Sequence, residues 1–233
     1  MAVAPPNEDA FLREVNDELR KDQLTSFWQR WGRWLVIGVV IALAALAALL
    51  YWQQHSANQA GARAEQYVQA LQQVGGGNAK AAEPALETLA KADDSAYAAA
   101  ARMTQAGILV EQGDAKAASA AFAALAADAK VPEPIRQLAL IRQTTIDFDT
   151  LPPQAVIQRL GSMAVPGNPW LGSAGELVAI AHLKLNQPAE AGRIFAAIAS
   201  DADMPETLRS RATKMAGALG VDAVRQPAAQ PKE

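Results

Sequence analysis

One long run of apolar residues stands out near the amino-terminal end of the chain. It extends from Leu35 to Trp52 without a charged side chain. As an α-helix, these about 18 residues rise roughly 27 Å, close to the hydrocarbon thickness of a bilayer. The pattern therefore predicts a transmembrane helix over residues 34–52. Aromatic residues flank the run on both sides, as is typical of a helix anchored at two membrane interfaces: Trp28, Trp31, Trp34, Tyr51 and Trp52.

Basic residues are distributed unequally about this segment. Arg20, Lys21, Arg30 and Arg33 precede it, whereas Arg63 is the first to follow. Positive charge is retained on the cytoplasmic side, so the asymmetry predicts a cytoplasmic N-terminus and a C-terminal domain across the membrane. A cleaved signal peptide is the competing interpretation. Such peptides have a short basic leader, whereas about 34 residues with six acidic side chains come first here, which favours an uncleaved anchor.

Residues 1–33 form a leader that we predict to be partly helical. Asn7 or Asp9 is suited to cap this helix, and its apolar residues recur on one face: Phe11, Leu12, Val15 and Leu19. That face is suited to rest on lipid or on a membrane partner. A flank that only sets the orientation of the anchor explains the pattern equally well.

A short sequence motif recurs in the C-terminal part of the chain. It reads Gly-Asn-Ala-Lys-Ala-Ala over residues 77–82 and Gly-Asp-Ala-Lys-Ala-Ala over residues 113–118, a spacing of 36 residues. A further copy begins at Asn186, 73 residues after the second, which leaves space for a degenerate copy near residues 150–160, with Ala155 as its small residue. A period in the mid-thirties built from two helices is typical of a tetratricopeptide-like solenoid.

The fold class that we predict is all-α. A single transmembrane helix precedes a tetratricopeptide-like α-solenoid of about four helical hairpins and a capping helix, over residues 57–220. Abundant alanine and only 6% aromatic residues suit closely packed helices. Residues 221–233 lack apolar periodicity, which predicts a disordered tail. Equivalent core positions are expected at small residues and at large residues one turn later: Ala82, Ala118 and Ala191, then Leu86, Phe122 and Phe195.

Charge and candidate chemistry exclude several classes of function. A net charge of −3 provides no broad basic surface for nucleic acid. His55 and His182 have no second ligand at metal spacing. The glycines of residues 75–80 lack the ending of a phosphate loop, and those of residues 172–175 lack the spacing of a nucleophile elbow. We therefore predict no catalytic, cofactor-binding or metal-binding residue, no cofactor and no enzymatic activity.

Acidic pairs lie at the predicted helix junctions. There, short carboxylates are expected to cap exposed amides rather than to form a catalytic or calcium site. The pairs are Asp93 with Asp94, Asp147 with Asp149, and Asp201 with Asp203.

Three aromatic residues are the candidates for protein binding. Tyr67, Tyr97 and Trp170 lie on helices of the predicted solenoid, whose surface can hold an extended peptide or a partner helix through a few aromatic anchors. Packing inside the helical array is the alternative role for each of them.

The layout resembles the YfgM-like ancillary subunits of the Sec translocon. The resemblance is carried by the leader end at residues 27–34 (Phe-Trp-Gln-Arg-Trp-Gly-Arg-Trp), by Tyr51-Trp52, and by residues 111–114 (Glu-Gln-Gly-Asp) leading to Ala118 and Phe122. It implies a single-pass bacterial inner-membrane protein with a periplasmic repeat domain. The implied partners are the SecYEG translocon and periplasmic chaperones. A tethered scaffold for another envelope assembly, in division, outer-membrane biogenesis or cytochrome maturation, is the alternative.

Overall fold

The computed structural model describes residues 8–92 and 96–222, with side chains from Gly32 onward. These residues contain no strand, and 80% helix confirms the predicted all-α class. The helices are α1 (Glu8–Gly75), α2 (Ala79–Ala90), α3 (Ala96–Glu111), α4 (Ala115–Ala127), α5 (Glu133–Asp147), α6 (Pro153–Leu160) with a 3-10 turn (Gly161–Met163), α7 (Leu171–Lys184), α8 (Pro188–Ser200) and α9 (Glu206–Ala218).

The chain divides into two compact units, Met1–Ala62 and Arg63–Glu233. The first contains the apolar stretch, which passes as a candidate membrane span by length and composition and has none of its most apolar window buried. The predicted cap Asn7 and the side chains of the leader face lie outside the described residues.

Helix α1 does not break after the apolar stretch, although the sequence predicts separate helices over residues 34–52 and from residue 57. Residues 53–56 include neither glycine nor proline, so the helical hydrogen bonds continue without interruption. Side chains also bond along the helix here, since the Gln54 amide donates to Asn58 Oδ1 at 3.0 Å.

The second unit is a series of helical hairpins. From α2 to α9 each helix packs against the next one in the chain, and α5 also contacts α3 and α7. We call the first helix of each hairpin A (the end of α1, then α3, α5 and α7) and the second B (α2, α4, α6 and α8). Helix α9 follows as the cap that the sequence predicts, with Ala212 and Ala216 buried against α8 and its neighbours.

One pattern of buried residues repeats through all four hairpins. A small residue of helix A and a residue of helix B lie twelve positions apart, and each of these residues is at most 1% exposed. The pairs are Ala70 with Ala82, Ala106 with Ala118, Thr144 with Val156, and Ala179 with Ala191. A large buried residue follows one turn later in each B helix: Leu86, Phe122, Leu160 and Phe195.

The third hairpin corrects one prediction made from the sequence. Ala155 is only half-buried, and the buried B-helix position belongs to Val156. The hairpins are therefore offset by 36, 38 and 35 residues, measured from Ala82 to Ala118, Val156 and Ala191. The longer step explains why a search at constant period selects the wrong residue there.

The turn within the third hairpin also differs from the turns within the other three. Gly77, Gly113 and Asn186 occupy equivalent turn positions with φ of 78°, 79° and 58°, a left-handed conformation that glycine and asparagine adopt at low cost. The third hairpin instead turns through residues 148–152, and the extended Pro152 (φ −57°, ψ 135°) precedes α6. The glycine run at residues 75–80 is thus a repeat turn.

Candidate protein-interaction surfaces

Tyr67 and Tyr97 lie together between helices α1 and α3. Their ring centroids are 6.2 Å apart and the ring planes are inclined by 58°. The Tyr67 hydroxyl hydrogen-bonds with Thr104 Oγ1 at 3.0 Å. Both rings are half-buried and pack against the first core cluster, which includes Leu86 and Ile108. The contacts give the two tyrosines a packing role, while a binding role for them stays a prediction.

Trp170 lies in a different part of the repeat domain, at the beginning of α7. Its indole Nε1 donates to Gln137 Oε1 of helix α5 at 2.6 Å, and its backbone N–H donates to Asn168 Oδ1 at 2.9 Å. The half-buried ring packs against the core cluster formed by α5, α6 and α7. The structure thus brings Tyr67 and Tyr97 together but does not add Trp170 to them.

Two grooves occur at equivalent places of the repeat domain. The first, of about 210 Å³, lies between the beginning of α3 and the segment that leads into α5. The second, of about 360 Å³, lies between the beginning of α7 and the segment that leads into α9. Four pairs of lining residues are related by the 73-residue offset: Ala96 with Pro169, Ala99 with Gly172, Val131 with Met204, and Pro132 with Pro205.

Charged pairs border both grooves. In the first, Arg102 donates to Asp128 Oδ2 at 2.8 Å, and the Lys130 backbone N–H donates to Asp128 Oδ1 at 3.0 Å. These two hydrogen bonds, the Arg102 one foremost, lower the pKa of Asp128 below its ordinary value. In the second groove, the Arg211 guanidinium binds both Glu176 oxygens at 2.7 Å. Each groove therefore places apolar residues beside an ion pair.

A third depression, of about 580 Å³, is lined by both polar and apolar residues. It lies at the turn between α7 and α8, beside α6. His182 Nδ1 is 2.7 Å from Gln187 Oε1 there, a hydrogen bond that spans this turn. The part of the chain that the structure describes contains no group of three or more metal-ligating residues.

Asp147 and Asp201, one member of each acidic pair within the described residues, make structural contacts. Asp147 accepts from Ser119 Oγ of α4 at 2.9 Å, and its carboxylate lies 3.9 Å from Arg159 of α6. Asp201 accepts from the Asp203 backbone N–H at 3.0 Å, as expected for a carboxylate at a helix junction. Asp93 and Asp94 lie outside the described residues.

Gly172 and Gly175, in the segment that superficially resembles a nucleophile elbow, allow helices to pack closely. A Cβ on Gly172 would lie 2.8 Å from Leu208 Cδ2 and 2.9 Å from Met204 Sδ of the α9 region. A Cβ on Gly175 would lie 3.2 Å from Ile194 Cγ2 of α8. The absence of side chains at these two positions lets α7 approach its neighbours.

Reasoning from the sequence missed the two grooves. The 73-residue offset was the available signal, because it relates residues 131–133 to residues 204–206. Which side chains around them line an open groove depends on how A helices of successive hairpins pack. That packing is set by residues distant in the sequence.

Comparison with known proteins adds one finding. A family model described as a tetratricopeptide repeat-like domain matches residues 25–216. The matched range begins before the apolar stretch and ends within α9. No curated protein and no solved structure matches the chain.

Proposed function

Because the chain belongs to the tetratricopeptide repeat-like domain family, we propose that it is a membrane-anchored module for protein–protein interaction. The family match over residues 25–216 carries this proposal, since it includes both the apolar stretch and the helical hairpins. Repeat domains of this type are typically scaffolds whose surfaces bind other proteins. The role that fits best is that of a binding protein rather than an enzyme.

Anchoring is supported by the exposed side chains of the apolar stretch. Trp34 and Trp52 at its two ends are 69% and 72% exposed, and the large apolar residues between them are also exposed. Exposing such a surface to water is unfavourable, whereas the hydrocarbon core and the interfacial zones of a bilayer accommodate it. The proposed orientation places the N-terminus in the cytoplasm and the repeat domain in the periplasm of a bacterial inner membrane.

The finer role that we propose is that of an ancillary subunit beside the SecYEG translocon. There the repeat domain would act on exported proteins together with periplasmic chaperones. The support is the resemblance in the order of leader, anchor and repeats. We assign first contact with client segments to the two grooves, because each places apolar residues beside an ion pair. Tyr67, Tyr97 and Trp170 do not line the grooves and are separate candidate anchors.

Crosslinking in living cells tests this proposal. The full-length protein is crosslinked, solubilised in detergent and purified by an affinity tag, and its partners are identified by mass spectrometry. We expect enrichment of the translocon and of periplasmic chaperones over a strain that expresses the tag alone. Enrichment of a different envelope complex, with the translocon absent, would replace the export role by the tethered-scaffold role.

An exchange of the anchor separates these two roles further. Residues 1–52 are replaced by the leader and transmembrane helix of an unrelated single-pass protein of the same orientation. If the anchor and leader associate with the channel, copurification of the translocon is lost while the repeat domain still folds. If the anchor is only a tether, partner capture and function stay unchanged.

A further inference from the structure

Helix α1 has two apolar faces along its last turns, residues 63–75. Tyr67, Ala70 and Val74 pack into the first core cluster, and Ala70 is only 1% exposed. Val68 and Leu71 are 50% and 40% exposed. At 3.6 residues per turn they point about 160° and about 100° away from Ala70 around the helix axis. The repeat domain thus uses one face of α1 and leaves the other open.

The open face follows a heptad pattern. Its apolar or small residues alternate at spacings of four and three, and we call them the seam: the exposed Ala57, Gly61, Val68 and Leu71, and the half-buried Ala64. A spacing that averages 3.5 residues keeps one stripe facing a partner helix over many turns.

Another hairpin of the same chain is not the natural partner of this helix. In α3, Ala101 and Ile108 are buried against the preceding hairpin. The equivalent positions of α1, 36 residues earlier, are the exposed Glu65 and Gln72. Polar residues at these positions end the series of hairpins at α1, as capping units of repeat proteins do. The exposed apolar seam beside them therefore needs a different explanation.

The charge distribution suits pairing with an identical helix. In a parallel pair each residue faces its own copy, so a charged residue on the seam would repel itself. Residues 34–62 contain no lysine, arginine, aspartate or glutamate. The small side chains of Ala57, Gly61 and Ala64 also let two backbones approach closely.

We propose that two copies of this chain pair in parallel through the seam of α1. The inference goes beyond the proposed function and rests on its membrane anchoring, which holds both copies in the same orientation and raises their effective concentration. The pairing is a closed two-fold arrangement, in which the same seam serves both copies. The repeat domains, with their grooves, stay available to other proteins.

Single cysteines test the pairing directly, because the chain contains no cysteine. Ala57→Cys, Ala64→Cys and Leu71→Cys lie on the seam, and Gln66→Cys and Gln69→Cys are exposed controls off it. Each full-length variant is oxidised in native membranes with copper phenanthroline and run on a non-reducing gel. A disulfide requires Cα atoms within about 7 Å, so we expect the seam variants to form dimers several-fold faster than the controls.

Carbonate extraction of the same membranes reports on anchoring independently. A protein that resists extraction but crosslinks equally at seam and control positions, or at neither, overturns the pairing and leaves the proposed function intact. Crosslinking of the seam cysteines only to a different protein also overturns it. A protein that is extracted contradicts the anchoring itself.

A charge-introduction experiment gives a second readout. Val68→Glu with Leu71→Glu places like charges on both copies of the exposed seam, whereas Gln66→Glu with Gln69→Glu adds the same charge elsewhere. Light scattering of the full-length protein in detergent is expected to give the dimer mass for the wild type and the control, and the monomer mass for the seam variant. Equal masses for all three contradict the proposal. Circular dichroism establishes that both variants retain the helical fold.

Discussion

Thr144 and Val156 occupy in the third hairpin the two buried positions that alanines hold in the other three. Each is at most 1% exposed, and the Thr144 hydroxyl donates to the Leu140 carbonyl at 2.7 Å within its own helix. The hydroxyl is thus satisfied without a partner in another helix, which allows a polar residue at a fully buried position. The third hairpin keeps the packing rule of the repeat with larger side chains.

Val156→Ala tests whether this degenerate hairpin contributes to the core. The substitution removes two buried methyl groups and leaves a cavity, so we expect the free energy of unfolding to fall by about 2 kcal/mol. Val165→Ala is the matched control, since Val165 is 45% exposed, and it should change stability by less than about 0.5 kcal/mol. Urea unfolding of the full-length protein in detergent measures both. Equal effects would contradict a buried role for Val156.

Gly192→Ala tests the close contact between α8 and the segment after α9. A Cβ on Gly192 would lie 2.6 Å from Val221 Cγ2 and 3.4 Å from Leu219 Cβ. Because valine is stiff, we expect a loss of stability of about 1–3 kcal/mol. Gly217→Ala has no atom within 4 Å of the added group and should stabilise α9 by about 0.5–1 kcal/mol. Thermal unfolding compares the two, and an unchanged or raised midpoint for Gly192→Ala would show that residues 219–221 yield easily.

Most of the helix boundaries could be predicted because local signals mark them. Gly77 lies in the turn after α1 and Gly113 in the turn after α3. Pro132 and Pro205 directly precede α5 and α9. The helices beside these four residues end or begin within two positions of them. Local backbone chemistry, which needs no knowledge of tertiary packing, was sufficient there.

Features that depend on packing between residues distant in the sequence were harder to predict than the helix boundaries. The choice of Val156 over Ala155 depends on which side of α6 meets α5 and α7. Helix α1 continues because no residue between 53 and 56 stops it, although the change from apolar to polar residues suggests an end. The predicted disordered tail covers residues 221–233. Val221 packs against the core cluster of α8 and α9 and its backbone N–H donates to the Ala216 carbonyl at 2.9 Å, whereas residues 223–233 lie outside the described residues.

Trp170→Phe distinguishes packing from partner binding. The variant keeps an aromatic ring but loses the Nε1–H that donates to Gln137. In a double-mutant cycle with Gln137→Ala, we expect a coupling energy of about 0.5–1.5 kcal/mol, typical of one hydrogen bond. If Trp170 only packs, capture of crosslinked partners stays at the wild-type level. Reduced capture at unchanged stability would instead establish the binding role predicted from the sequence.

The Arg102–Asp128 pair makes a specific prediction about pH. Arg102 holds the pKa of Asp128 below its ordinary value of 3.8, so the pair stabilises the fold when the carboxylate is charged. This contribution is fully present above the ordinary pKa and is lost as the pH falls through the lowered pKa of the folded state. Arg102→Met should therefore lower stability at neutral pH, and the difference from the wild type should shrink below the ordinary pKa.

A second pair provides the control for this prediction. Lys91, by hydrogen bond and charge, also lowers the pKa of Glu87, but that pair joins residues four apart within and just after α2, and both side chains are more than 60% exposed. Arg102 instead connects α3 to the segment after α4. Lys91→Met should consequently change unfolding in urea less than Arg102→Met at neutral pH, because solvent screens an exposed pair. A stability difference for Arg102→Met that does not vary with pH would show that the guanidinium acts through packing rather than through charge.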